Sequence, residues 1–253
     1  MALAASLVIL AGGEGRRMGR PKALLPVGGT TLVEWMVRRL APTCRHLLIS
    51  ARDPEQLPPD LRPHLVVDRH PGAGPLAGIA AALAASPHDL VVVVACDMPR
   101  VTPALVRRLA AATAGVDAAV PRIGGRPEPA CAAYRRSAAA TIDEALRQGR
   151  HRVAEVLSAL AVRWLEAEDP ALFTNLNTPD DLAAFEGWWR APRPRRPRPP
   201  SAGAERGREM ESGAGSSTTQ YQVGPVVRHN SGAKSVTTAE TFRRPVGPAD
   251  AAE

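Results

Sequence analysis

The run Leu90-Val91-Val92-Val93-Val94-Ala95 is apolar at every position. A strand with one wet face alternates apolar and polar residues, so an unbroken apolar run must be covered on both faces, as in the middle of a parallel sheet. Parallel neighbours need crossover connections, and the sequence around this run supplies them. Short apolar runs fall at Ala5–Ala11, His46–Ser50 and Leu65–Val67, with helical patterns between them at Leu32–Leu40, Leu76–Ala85 and Pro103–Ala112. Further strands are expected at Ala118–Val120, Ala130–Tyr134 and Val162–Leu165, and helices near Ser137–Arg147, Val153–Leu160 and Pro179–Arg190. This alternation predicts an α/β fold, Rossmann-like, with a mostly parallel sheet flanked by helices.

Near residue 190 the composition changes. Ala191-Pro192-Arg193-Pro194-Arg195-Arg196-Pro197-Arg198-Pro199-Pro200 opens a Pro/Arg/Gly/Ser-rich stretch with few large apolar residues. Such a segment buries too little surface to offset its ordering entropy. The expected division is a folded domain over 1–190 and a disordered tail over 191–253. Of the net charge of +7, ten Lys/Arg against six Asp/Glu lie after residue 190, which leaves about +3 for the folded part. That balance suits one small polyanion better than a nucleic-acid duplex. Cys44, Cys96 and Cys131 are scattered, which argues against a disulfide framework or a Cys-based metal site and for a reducing, cytoplasmic setting. The apolar N-terminal run has no basic residue before it and leads into Gly12-Gly13 and arginines, so it reads as a buried strand rather than a leader. No stretch approaches the ~20 apolar residues of a membrane span.

Chemistry concentrates at the ends of the expected strands. Leu10-Ala11-Gly12-Gly13-Glu14-Gly15-Arg16-Arg17-Met18-Gly19-Arg20-Pro21-Lys22 follows the first of them. It therefore sits where open α/β sheets bind ligands. Its glycines let backbone N–H groups approach phosphate oxygens, and Arg16, Arg17, Arg20 and Lys22 surround the loop with positive charge. The spacing matches neither a dinucleotide fingerprint nor a Walker A loop. Asp97, just past the all-apolar run, faces the same crevice. A carboxylate opposite a triphosphate needs a cation between them, and Mg²⁺ held by one carboxylate and phosphate oxygens meets that need. Cys96 reads as a small buried residue, with no histidine placed to activate it.

In Val67-Asp68 through Gly74-Pro75-Leu76-Ala77-Gly78, Asp68 is suited to base or ribose donors, and Gly74-Pro75 opens a small-residue helix. In Thr174-Asn175-Leu176-Asn177-Thr178-Pro179-Asp180-Asp181, the helix start accounts for Thr178 to Asp181. It leaves Asn175 and Asn177 as candidate acceptor ligands on one side of an extended segment. The six histidines show no metal-ligand spacing.

Taken in order, Leu-Ala-Gly-Gly-x-x-x-Arg-Met-Gly, Gly-Pro-Leu-Ala-Gly, Cys-Asp-Met-Pro and Asn-x-Asn-Thr-Pro-x-Asp-Leu resemble the molybdenum cofactor guanylyltransferases over roughly residues 5–188. The resemblance implies a Rossmann-like nucleotidyltransferase fold. It also implies transfer of GMP from GTP to the terminal phosphate of molybdopterin, with Mg²⁺ and release of pyrophosphate. Carried over by position, Leu10, Ala11, Gly12, Gly13 and Gly15 contact GTP, and Lys22 its phosphates. Asp68 and Gly74 lie near the nucleotide, Asp97 holds Mg²⁺, and Asn175 and Asn177 lie on the pterin side. The catalytic set would be Arg17, Lys22 and Asp97. Partners would be these two small molecules, with transient contact to molybdenum-cofactor enzymes or their chaperones. Membrane and nucleic acid are not expected partners.

Three features depart from the family pattern. Pro21 precedes the lysine, which lies one residue nearer Arg17 than usual. Ser50 and Arg52 stand where an asparagine is common, and the tail has no counterpart. A cytidylyltransferase, a sugar-phosphate nucleotidyltransferase and a non-catalytic nucleotide-binding adapter remain the alternatives.

Overall fold

The computed structural model describes residues 1–13, 19–68, 70 and 72–191, together with the short strand Val226–Val227. Gly15, Arg16 and Arg17 lie outside the described residues, as does the tail apart from that strand.

β1 (Leu3–Leu10) is central. It pairs in parallel with β4 (Cys44–Ala51) on one side and β6 (Leu90–Ala95) on the other. β4 continues to β5 (Leu65–Val67), again parallel. Beyond β6 the sheet becomes mixed. β7 (Ala118–Ile123) turns through Gly124-Gly125 into β8 (Arg126–Pro127), and β9 (Cys131–Arg135) returns antiparallel between β6 and β7. The few residues between Ile123 and Cys131 are too few for a parallel crossover, which takes a dozen or more, so the return strand must run antiparallel. β10 (Val162–Glu166) lies parallel to β7, and β11 (Val226–Val227) pairs antiparallel with its outer edge.

Helices cover both faces. α1 (Leu32–Leu40) and α3 (Pro103–Ala112) pack on one face; α2 (Pro75–Ala85), α4 (Ala139–Arg147) and α5 (Val153–Val156) pack on the other. Strand alternation divides the core accordingly. Leu7, Ile9, Val92 and Val94 meet α1 and α3, whereas Val8, Val91 and Val93 meet α2 and α4. All seven are fully buried, as an all-apolar strand requires. The helical pattern expected over Val153–Leu160 is interrupted. α5 tightens into a 3-10 turn at Leu157–Ala159, and Leu160 is already extended (φ −111°, ψ 153°) as the chain turns into β10.

A third, smaller core lies at the rim. β2 (Pro26–Val27) and β3 (Thr30–Thr31) form a hairpin whose turn, Gly28-Gly29, has φ of 56° and 81°. Both values are left-handed, as a tight two-residue hairpin turn demands. The hairpin packs through Leu25, Val27 and Leu32 against Leu176 and Phe185 of the C-terminal segment, which carries α6 (Pro179–Arg190). Among the described residues no helix is long and apolar enough to cross a membrane.

Candidate active site

The chain winds outward from β1 to β5 on one side, then crosses back to β6 on the other. The carboxyl ends of β1, β4 and β6 therefore border a topological switch point, where open α/β sheets leave a crevice. The crevice is a cleft of about 580 Å³, a size that holds a nucleotide. β1 lends it Leu10, Gly12 and Gly13; β4 lends Ser50 and Arg52; Asp68 follows β5, and Asp97 follows β6.

Hydrogen bonds carried past the strand ends hold these segments in register. The Ala11 N–H donates to the Ser50 carbonyl (2.7 Å), and the Cys96 N–H to the Leu10 carbonyl (3.0 Å). Ala11 is thus fully buried beneath the cleft floor, with its N–H engaged by Ser50 rather than facing the cavity. Gly12 and Gly13 line the cavity, and a side chain on Gly12 would meet nothing within 4 Å, so its surroundings are open to a ligand. The aliphatic stem of Lys22 lies against Gly13, where a Cβ would be 3.5 Å from Cδ.

The Lys22 ammonium is the hub. It donates to Asp97 Oδ2 at 2.7 Å and to Asn177 Oδ1 at 2.6 Å. Asn177 is brought there by the backbone, because the Leu176 N–H donates to the Asp97 carbonyl (2.8 Å) while the Leu176 side chain enters the rim core. Asn175, on the other flank of Leu176, is half-buried and does not line the cavity. The three positions Lys22, Asp97 and Asn177, far apart in sequence, form one contiguous polar cluster.

Across the cleft, Asp68 Oδ1 accepts the His70 N–H (2.8 Å). That bond shapes the turn towards Gly74, whose φ of 61° and ψ of −148° suit glycine almost alone. Gly78 is a residue whose role only the packing reveals. A Cβ there would lie 2.7 Å from Ser50 Oγ and 2.8 Å from Leu10 Cδ2, so with any other residue here these two side chains would have to shift for α2 to approach the strand ends this closely. The serine at position 50 and the glycine at 78 fit each other.

Glu128 was not singled out from the sequence. It is half-buried beside the cleft, its Oε1 accepting the Ala130 N–H (3.3 Å). Burial raises its carboxyl above the ordinary range, and the negative charge of Asp97 adds to the effect. The Gly124-Gly125 turn was the available signal, since it folds this segment back beside β6. Cys96 borders the cleft, and burial, then Asp97, push its thiol well up, which keeps it protonated and inert.

Residues 7–165 match the MobA-like NTP transferase domain. The chain belongs to this family. It is 40% identical over 184 residues to a molybdenum cofactor guanylyltransferase of Cereibacter sphaeroides, covering 71% of this chain and 94% of the relative. A relative of the same description from Pseudomonas paraeruginosa is 38% identical over 185 residues, covering 70% and 92%. Among solved structures, molybdopterin-guanine dinucleotide biosynthesis protein A of Archaeoglobus fulgidus superposes with a TM-score of 0.64 at 32% identity, covering 73% of this chain and 98% of that one.

As a MobA-like NTP transferase, the protein is a nucleotidyltransferase, and the cleft can be read in those terms. Of the residues singled out from sequence, the structure gathers Leu10, Gly12, Gly13, Lys22, Asp68, Gly74 and Asp97 around one cavity and joins Asn177 to them through Lys22. Among the described residues there is no cluster of three or more His, Cys, Asp or Glu able to hold a metal ion on its own. The Asp97 carboxylate lines the cavity with Oδ2 engaged by Lys22, and Mg²⁺ in nucleotide sites is commonly bound by one or two such carboxylates together with phosphate oxygens and water.

Proposed function

We propose that this protein transfers GMP from GTP to the terminal phosphate of molybdopterin, forming the guanine dinucleotide cofactor and releasing pyrophosphate, with Mg²⁺ as cofactor. The observation that carries the reading is the Lys22 ammonium bridging Asp97 and Asn177 beside Gly12 and Gly13. It joins a phosphate-binding loop, an acidic group and the segment expected to face the acceptor. The similarity to guanylyltransferases supports GTP and molybdopterin as the substrates.

In this reading an oxygen of the acceptor phosphate attacks the α-phosphorus of GTP. The new P–O bond forms as the bond to the bridging oxygen of pyrophosphate breaks, and pyrophosphate leaves in line. A phosphate nucleophile is already ionised at neutral pH, so no side chain has to take a proton. The protein's task is positioning and charge neutralisation. Lys22 is held between Asp97 and Asn177 with its charge available to the phosphates. Gly12 and Gly13 allow backbone N–H groups to approach the triphosphate. Asp97 would hold Mg²⁺, which supplies charge neutralisation to the reacting phosphates. Arg17 is proposed to assist on the leaving side.

The test is pyrophosphate release with Mg²⁺ and molybdopterin, offering GTP, CTP, ATP and UTP separately. Turnover confined to GTP is expected. Turnover with CTP alone would overturn the guanylyl assignment in favour of a cytidylyltransferase. Silence with all four from folded protein that binds GTP would overturn molybdopterin as the acceptor.

A further inference from the structure

Outside the cleft, an aromatic cluster packed on the rim core also reaches the loop that follows Asp97. Trp35, on α1, is half-buried and does not line the cavity. Its indole Nε1–H donates to the Pro99 carbonyl (3.3 Å), two residues past Asp97. One helical turn later Arg39 Nε donates to the Val101 carbonyl (3.0 Å), so α1 grips the loop after Asp97 at two points. The other side of the Trp35 ring meets α6, edge-on to Trp189 at 4.4 Å and to Phe185 at 5.8 Å. From the loop itself, the Arg100 guanidinium lies over the Trp188 ring, 4.8 Å from its centroid.

We propose that Trp35 is a positioning residue of the transfer site, clamping the Asp97 loop and the Asn175–Asn177 segment in a single relative geometry. The inference rests on the nucleotidyl-transfer reading above for what the geometry serves, but the clamp itself is measurable without it. The two segments are far apart in the chain, and each supplies one partner of Lys22. Among the described residues one main-chain link runs between them, Leu176 N–H to the Asp97 carbonyl. Together with the Lys22 bridge, that bond ties the segments at neighbouring points only, which leaves tilting about those points open. Trp35 closes that freedom by bonding to one segment and packing edge-on against the helix that follows the other. Displacing a catalytic group by about 1 Å can cost about a hundredfold in rate, so a residue outside the cleft can govern turnover.

The experiment compares full-length wild type with Trp35→Phe, which keeps a ring against α6 but has no N–H for Pro99. A second variant, Trp189→Ala, removes the ring nearest Trp35 at the outer end of α6 and guards against misfolding of the first. Hydrogen exchange at residues 96–101 and 174–178 is read together with thermal unfolding and with steady-state kinetics on GTP, Mg²⁺ and molybdopterin. The expected result is about tenfold faster exchange in both segments, with the amides of β1 and β6 unchanged. It is accompanied by a fall in kcat of about tenfold and a KM for GTP within about twofold of wild type, because the clamp does not touch Gly12, Gly13 or Asp68. Wild-type exchange in both segments of the folded variants would overturn the clamp. Faster exchange with wild-type kcat would overturn the positioning role. If the wild-type protein turns over no nucleotide, the proposed function fails, and the exchange measurement alone upholds or overturns the clamp.

Discussion

Lys22 and Asp97 pair across 2.7 Å, yet 16% and 19% of their side chains still meet solvent at an open cleft. An ion pair so placed contributes little to stability, on the order of 1 kcal/mol or less. In the proposed reaction its value lies in holding a cation beside Gly12 and Gly13, where charge develops during transfer. Asp97→Ala is accordingly expected to lower kcat by about a hundredfold or more, the scale of removing one group that stabilises a transition state, while the unfolding free energy stays within about 1 kcal/mol of wild type. Paired kinetic and urea-unfolding measurements check this; near-normal turnover would remove Asp97 from the catalytic set. Gly78 makes the complementary case. Gly78→Val would drive a branched side chain into Ser50 and Leu10 at distances real Cβ atoms do not adopt, and loss of nucleotide binding is expected before loss of fold.

At the scale of elements, α6 shows how a structural device serves the site. Thr178 accepts the Asp181 N–H (3.2 Å) while Asp181 Oδ2 accepts the N–H groups of Thr178 and of Asn177, each at 2.9 Å. The capping box therefore holds the backbone of the residue that meets Lys22. The hydrogen bond from Asn177 N–H, then those from Thr178, hold the Asp181 carboxyl below its ordinary value. A depressed carboxyl contributes stability above its unfolded value, near 3.8, and loses it as pH falls through the lower folded value. Asp181→Asn should thus be less stable than wild type near pH 7, with the difference shrinking as pH falls below about 4. Thermal unfolding from pH 7 to pH 3 measures it, and a gap that does not change with pH would contradict the assignment.

For the whole molecule, the central sheet is the source of cohesion, because β1 and β6 contribute to the cores on both faces at once. Leu7→Ala, at a fully buried position of β1, is expected to cost about 2–5 kcal/mol, read as a lower urea midpoint with an unchanged slope. Much of this was legible beforehand. The all-apolar run at Leu90–Ala95 implied cover on both faces, and the Gly-rich loop after β1 and Asp97 after β6 implied one crevice, because those conclusions depend on local periodicity and on chain direction alone. Thr178 and Pro179 likewise announced the start of α6 through local capping chemistry. The short connection through Gly124-Gly125 sets the direction of β9, but its insertion between β6 and β7 was not legible, since the pattern of Cys131–Arg135 does not say which strands it joins. Nor did the pattern show Glu128 within the field of Asp97, the fit of Gly78 to Ser50, or Trp35 joining two distant segments. Local patterns establish the fold class and the strand ends at which chemistry sits, through forces that act within a few residues. Which distant side chains meet depends on the path of the chain, because Lys22, Asp97 and Asn177 become neighbours through it and not through any property of their own surroundings.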